Sequence, residues 1–337
     1  MLLSHYILRA LGSAATAQAT TLLPVHNITH APVRFENLAV RSNGQILTTT
    51  TSPNASVYLV DPLGILPTTL IHTVPNVSSA TGIAEGKIED VFYFVSGTIN
   101  ITTPNVTFPE TYSITEIDVR GVSILPNGTL TNNPRVKRVA SLPGASLPNG
   151  VAFAGPDSDH ILTADSFHGL IWNIDVCSGE LGVTLNDSST KGVALSGQAF
   201  TGINGLKVQD GIMYWTNTGA SKMYKVAVDD VGRVRDGQTP TLVTSDLTCD
   251  DLVIDCKGNA YVAGPRDVLT RVYPNGEKEI VAGTYNSTTS SLVGPTAVRF
   301  GRLESDRWSL YITTNGGVGQ NVVGTEGIYR VDLGAVA

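Results

Sequence analysis

Charge is scarce in this sequence. Asp, Glu, Lys and Arg make up 15 % of its 337 residues, against a hydrophobic fraction of 42 %. Long helices with solvated faces need more charge than that. Basic residues are also outnumbered, 22 Lys and Arg against 29 Asp and Glu, for a formal net charge of −7. The positive footprint that phosphate binding requires is missing, so no nucleic-acid partner is expected. No run of 18 apolar residues occurs, so no membrane-spanning helix is expected either. Cysteine is rarer still: Cys177, Cys249 and Cys256 permit at most one intrachain disulfide. Cys249 and Cys256 flank one expected strand and would stand roughly 20 Å apart, so they should not pair with each other. Their spacing does not suit a zinc knuckle, and the expected role is that of buried structural thiols. A Gly-x-Ser-x-Gly nucleophile elbow is absent as well.

Glycine and proline are plentiful, with 34 Gly and 17 Pro spread along the chain. That is the composition of many short strands joined by tight turns. At the amino terminus, Met1 to Ala19 reads as a secretory signal. Leu2, Leu3, Tyr6, Ile7, Leu8 and Leu11 form an apolar run, and Ala17-Gln18-Ala19 fits a cleavage site. Sequons begin at Asn27, Asn54, Asn76, Asn100, Asn105, Asn127, Asn186 and Asn286. The expectation is entry to the secretory pathway or export, with a cytoplasmic protein as the alternative, and residues 20–337 as one domain. Nothing in the sequence fixes an oligomeric state.

The organising signal is an internal repeat of about 40–60 residues, a period typical of propeller blades. Its opening is a polar residue, a small residue and alternating apolar positions, followed by a turn with Gly and a second apolar strand. Clear copies are Pro148-Asn149-Gly150-Val151-Ala152-Phe153, Ile203-Asn204-Gly205-Leu206-Lys207-Val208 and Cys249-Asp250-Asp251-Leu252-Val253-Ile254. A divergent copy opens at Phe35-Glu36-Asn37-Leu38, and weaker ones at Ala80-Thr81-Gly82-Ile83 and Gly294-Pro295-Thr296-Ala297. Turns such as Ser42-Asn43-Gly44 and Pro274-Asn275-Gly276 supply the expected hairpin chemistry. The pattern predicts an all-β fold: a six-bladed β-propeller with four-stranded blades. The last copy supplies only three strands, ending at Asp332. The segment Thr20–His26 is therefore expected to close the ring as the fourth strand of the last blade, which removes an open edge.

In such a blade the first strand is innermost. Its opening residues ring one mouth of the channel: Glu36, Thr81, Asn149, Asn204, Asp250 and Pro295. Second strands return to that mouth and add Ser96, Ser166 with His168, Asn217 with Thr218, Gly264 and Asn315. Phe167, Tyr214 and Trp215 lie nearby in sequence; of the alternating pair Tyr214 and Trp215, one is expected to pack on the neighbouring blade, leaving only the other able to face the channel. Polar groups beside apolar bodies suit a small-molecule pocket. Asn and Asp at such positions also form turns by bonding their own backbone.

The openings at Glu36, Asn149-Gly150, Asn204-Gly205 and Asp250-Asp251 resemble the gluconolactonase/regucalcin superfamily of six-bladed propellers over roughly residues 35–332. That resemblance implies a divalent-cation site, usually calcium, at Glu36, Asn149, Asn204 and Asp250, and a calcium-dependent lactonase activity. The segment from Phe35 to Gln45 departs from the Glu-Gly-Pro or Glu-Ser-Pro opening of those lactonases. It is closer to a fungal subgroup that includes hetero-Diels–Alderases, which join a tropolone-derived quinone methide to a humulene-type terpene. This second resemblance implies a pericyclase with small-molecule substrates and neither metal nor organic cofactor. On it, Asn149 and Asn204 are candidate hydrogen-bond donors in catalysis, and His168 and Asp250 candidate acid–base groups. Glu36, Thr81, Phe167, Tyr214, Trp215, Asn217, Thr296 and Asn315 are the candidate substrate contacts. A binding propeller without enzymatic activity is the reading from another class.

Overall fold

A computed structural model of the protein describes residues 21–27, 33–99, 108–193, 201–286, 292–317 and 326–334. The apolar leader and the sequons at Asn100 and Asn105 lie outside them. Among the described residues, six four-stranded antiparallel sheets account for almost all the regular structure, with one short 3₁₀ turn at Pro109–Thr111. The chain is a six-bladed β-propeller, as the repeat predicts.

Each blade starts with its inner strand. These are Arg34–Val40, Ser79–Glu85, Pro148–Phe153, Ile203–Gln209, Leu252–Ile254 and Pro295–Phe300 for blades 1 to 6. Each inner strand packs against those of the neighbouring blades, and blade 6 meets blade 1. The ring is sealed from the amino terminus: Leu22–Asn27 pairs antiparallel with Gly327–Asp332 and forms the outer strand of blade 6. Leu22 lies opposite Val331 and Asn27 opposite Gly327, with the register shifting between Pro24 and His26. A proline is tolerated there because an outermost strand has an unpaired side.

The apolar residues form six buried clusters among the described residues, one at each junction between blades. Leu47, Leu59, Ile83, Phe92 and Phe94 join blades 1 and 2. Leu162, Ile171, Leu206 and Trp215 join blades 3 and 4. The core is thus a wheel of wedges around a polar axis. Arg41, also buried, bolts blade 1 to blade 2 by donating to both carboxylate oxygens of Asp90, at 2.9 and 2.6 Å, and to the carbonyls of Val119 and Val122. The three cysteines are free; Cys249 is buried as expected, whereas Cys177 and Cys256 are exposed.

Candidate functional site

A shared irregularity turns the ring residues toward the axis. In blades 1 to 4 the inner strand advances three residues while its partner advances two. Phe35 faces Thr50 and Leu38 faces Thr48; Ala80 faces Ser96 and Ile83 faces Phe94. Pro148 faces Asp165 and Val151 faces Thr163; Ile203 faces Asn217 and Leu206 faces Trp215. In blade 5, Asp250 donates its N–H to Ala263 O at 2.7 Å, and Asp251 O accepts from Ala263 N at 3.0 Å. Such a bulge places one extra residue in the strand and re-aims its side chain. The extra pair is Glu36-Asn37, Thr81-Gly82, Asn149-Gly150, Asn204-Gly205 and Asp250-Asp251.

The second member of the pair decides how closely the blades approach. A Cβ on Gly82 would lie 2.2 Å from Asn149 O, one on Gly150 2.3 Å from Asn204 O, and one on Gly205 2.5 Å from Asp251 Cα. Only glycine fits there. Blades 1 and 5 instead carry Asn37 and Asp251 in this slot, and both side chains are used. Asn37 Nδ2 donates to Asp251 Oδ2 at 2.9 Å, and Arg299 of blade 6 donates to Asn37 Oδ1 and Asp251 Oδ2, each at 2.8 Å. Lys207 of blade 4 reaches the same carboxylate at 3.3 Å. Burial alone would raise the Asp251 carboxyl, but the charges of Arg299 and Lys207 outweigh it and hold it at about 2. These four side chains fill the axis beneath the ring.

The ring brings Glu36, Asn149, Asn204 and Asp250 together. Desolvation, then the negative charge of Asp251, pushes Glu36 up to about 7, against a hydrogen bond from Asn149. Asp250 is raised well above the usual carboxylate range by desolvation, then by Glu36 and Asp251, against a hydrogen bond from Asn204. Both amides are buried. Asn204 Nδ2 also donates to Thr218 Oγ1 at 3.0 Å, while Asn204 Oδ1 has no partner. Two carboxylates that repel each other, with two amides between them, form a set of hard oxygen donors that fits a divalent cation such as calcium. They equally fit a shared proton, since like charges this close do not both ionise freely.

His168 is exposed on the loop after the second strand of blade 3. Its Nδ1 lies 3.2 Å from Asp165 Oδ2. Asp165 is fully buried and also accepts from Ser146 N, Leu147 N, His168 N and Trp172 Nε1 at 2.9–3.1 Å. With the Nδ1 proton assigned to this bond, Nε2 is the basic nitrogen. Asp165 was not a candidate by sequence, although its place three residues before His168 in a strand-end loop is the signal that identifies it. Phe167 is half-buried beside it.

Other candidates are placed differently. Trp215 is fully buried at the junction of blades 3 and 4, stacked on Tyr224 at 5.7 Å, with Nε1 donating to Ser189 O. Tyr214 packs against the junction of blades 4 and 5. The expectation that one of them is able to face the channel is corrected: a second strand lies between two neighbouring blades, so its alternating side chains enter one junction or the other. Asn217 is fully buried and spends both amide protons on Ser189 O and Lys191 O, at 2.9 and 2.8 Å. Asn315 Oδ1 accepts from Gly317 N, a turn contact. Thr81 and Thr296 sit at the ring, but their hydroxyls donate to Pro148 O and Thr313 Oγ1, each at 2.9 Å. For these six residues the structural role accounts for the contacts observed.

No family model matches the sequence. A protein of Phoma sp. named "Putative hetero-Diels-Alderase" is 30 % identical over 303 residues, covering 83 % of each chain. The chain belongs to the hetero-Diels–Alderase family. A second relative, from Sarocladium schorii and also named a "putative hetero-Diels-Alderase", is 24 % identical over 318 residues, covering 83 % of this chain and 74 % of its own. Among solved structures, a luciferin-regenerating enzyme aligns over 94 % of this chain and 96 % of its own, with a TM-score of 0.65 and 12 % identity. The calcium-binding protein regucalcin from Agrobacterium tumefaciens aligns over 92 % and 96 %, with a TM-score of 0.55 and 12 % identity. At such identities these two matches concern the fold alone.

Proposed function

We propose that the protein catalyses an intermolecular hetero-Diels–Alder cycloaddition at the mouth ringed by Glu36, Asn149, Asn204 and Asp250, without a metal. The reactants on this reading are a tropolone-derived quinone methide and a humulene-type terpene. What supports the reading, in a chain of this family, is the convergence of two carboxyl groups raised by burial and neighbouring negative charge, and of two buried amides, on one axis. A carboxyl group kept protonated near neutral pH donates a hydrogen bond to the heterodiene oxygen, where negative charge builds as the new bonds form. Asn149 and Asn204 orient that donor through their bonds to Glu36 and Asp250. Holding both reactants in a near-attack pose removes their translational freedom before the reaction, worth up to about 7–11 kcal/mol in favourable systems.

The quinone methide itself arises by loss of water from a hydroxymethyl precursor. The ring acid gives a proton to the departing hydroxyl, and His168 Nε2, oriented by Asp165, accepts the proton of the ring hydroxyl. Phe167 is the aromatic candidate for the terpene side of the pocket. Asn149→Ala and Asn204→Ala should each slow cycloadduct formation and erode its stereoselectivity. Both amides act by positioning the ring carboxyls, so each loss should cost less than the about 2.7–4 kcal/mol of barrier typical of removing a direct donor to developing charge. Rates and product ratios by chiral chromatography that match the wild type for both variants would place the reaction elsewhere.

One observation favours a second reading. Asn204 Oδ1 is buried without a partner beside two repelling carboxylates, as an oxygen awaiting a cation would be. On that reading Glu36, Asn149, Asn204 and Asp250 hold calcium, and the activity is lactone hydrolysis. The bound ion would supply Lewis acidity and an activated water. Chelation separates the two readings.

A further inference from the structure

A funnel of about 800 Å³ opens at the other mouth, where the carboxyl-terminal ends of the inner strands converge. Ile83, Val151, Phe153 and Phe300 line it, with Lys207 and Arg299 among them. The plug of Asn37, Lys207, Asp251 and Arg299 lies between this funnel and the ring of Glu36 and Asp250. Lys207 belongs to both: its side chain is 16 % exposed, and its amine contacts Asp251.

Two cations share one carboxylate here. Arg299 takes the better geometry, at 2.8 Å from Asp251, and leaves Lys207 at 3.3 Å. The remaining contacts of Lys207 Nζ are Leu206 O at 2.9 Å and Val151 O at 3.5 Å, the latter at the limit of hydrogen bonding. A neutral amine has two protons, and two close acceptors take them. Among the described residues every hydrogen-bond partner of the nitrogen is an acceptor, so none of them donates to its lone pair. Of the charged groups on the rim, Arg302 pairs with Glu85 and Lys87 with Asp159. Desolvation, then the charge of Arg299, brings Lys207 down to about 7 against the pull of Asp251. An amine desolvated beside a second cation is the usual arrangement of a nucleophilic lysine.

We propose that Lys207 captures aldehydes or ketones with an apolar, aromatic body as an imine, in a second binding site at this mouth. The Nζ lone pair adds to the carbonyl carbon, and both amine hydrogens leave with the carbonyl oxygen as one molecule of water. Asp251, held ionised by its cations, keeps the amine in place, and water at the open mouth carries the proton from nitrogen to oxygen. Phe153 and Phe300 flank the aromatic body. This site rests on no part of the reading given for the ring of Glu36 and Asp250.

The test is reductive trapping with benzaldehyde and sodium cyanoborohydride on the full chain at pH 7, mapped by peptide mass spectrometry. The sequence has eight lysines. One of ordinary pKa near 10.4 is neutral in only about one molecule in 2,500 at this pH. Lys207 should therefore carry the benzyl adduct at least about tenfold above each of the other seven, allowing for its restricted access. The preference should vanish in urea, and K207R should lose the dominant adduct. Even labelling of the lysines in the folded protein, or a Lys207 left unlabelled, overturns the proposal. The wild-type map decides this even if K207R fails to fold.

Discussion

The side-chain amide of Asn37 donates to Asp251 Oδ2 at 2.9 Å, tying blade 1 to blade 5 across the inner strand of blade 6. The two residues are 214 positions apart and occupy the slot that Gly82, Gly150 and Gly205 fill in blades 2 to 4. Arg299 of the intervening blade donates to both partners and Lys207 of blade 4 reaches the same oxygen, so four blades meet at one buried carboxylate.

Asp251→Asn removes that charge and leaves Lys207 and Arg299 facing each other, mostly buried. Breaking a buried pair from one side typically costs about 3–5 kcal/mol. The variant should melt well below the wild type in thermal unfolding followed by circular dichroism. An unchanged melting temperature would mean that the plug contributes little.

Glu36 and Lys207 give stability opposite pH dependences in adjoining windows. Glu36 is raised from 4.5 to about 7, so the folded state holds a proton there that the unfolded state releases. Stability from this group is present below pH 4.5 and is lost as the pH rises through 7. Lys207 is lowered from 10.5 to about 7, so the unfolded state binds the extra proton and stability rises between pH 7 and 10.5. Melting temperature against pH should dip near neutrality. Glu36→Gln should flatten the acid limb and raise the melting temperature at pH 8; Lys207→Met should flatten the alkaline limb. A Glu36→Gln protein less stable than the wild type at pH 8 would contradict the metal-free reading.

Removing divalent ions with a chelator should leave activity and melting temperature nearly unchanged on the metal-free reading. An ion bound only by the folded state adds stability that disappears with it. A large fall in either quantity, restored by calcium, favours the second reading of the ring.

Trp215→Ala should act through the fold alone. Its ring fills the junction of blades 3 and 4, and truncating a buried Trp costs about 3–5 kcal/mol. The protein that remains folded should give the wild-type product ratio. Altered stereoselectivity without lost stability would return Trp215 to the pocket.

The sequons at Asn54, Asn76, Asn127, Asn186 and Asn286 are all exposed, as a glycan requires. Secretion from a eukaryotic host should yield material whose gel mobility increases on endoglycosidase treatment. Material unaffected by the enzyme would remove this support for a secretory route.

The blades were legible because their openings repeat, and Glu36, Asn149, Asn204 and Asp250 followed from aligning them. Their neighbours Asn37 and Asp251 were not. A two-residue bulge turns one side chain to the ring and the other to the adjoining blade, and sequence spacing does not show where the backbones part enough to admit more than glycine. Lys207 and Arg299 read as ordinary polar positions on alternating strands; only the ring geometry brings them to one carboxylate. Tyr214, Trp215 and Asn217 were placed at the mouth because their strand ends there. A strand's end marks a height along the axis, whereas its rank within the blade sets the distance from it.

Closure by Leu22–Asn27 also sets an order of assembly. This strand is synthesised before every other described strand, and its partner, Gly327–Asp332, after them all. Until the ribosome has delivered the last described strand, Leu22–Asn27 has no partner in its own sheet, and the growing blades form an open arc. Contacts so distant in sequence form slowly, and unpaired edges invite association with other chains. The nascent arc is therefore the stage at which this protein is most exposed to misassembly, and the latch that ends it sits at the two extremities of the described chain.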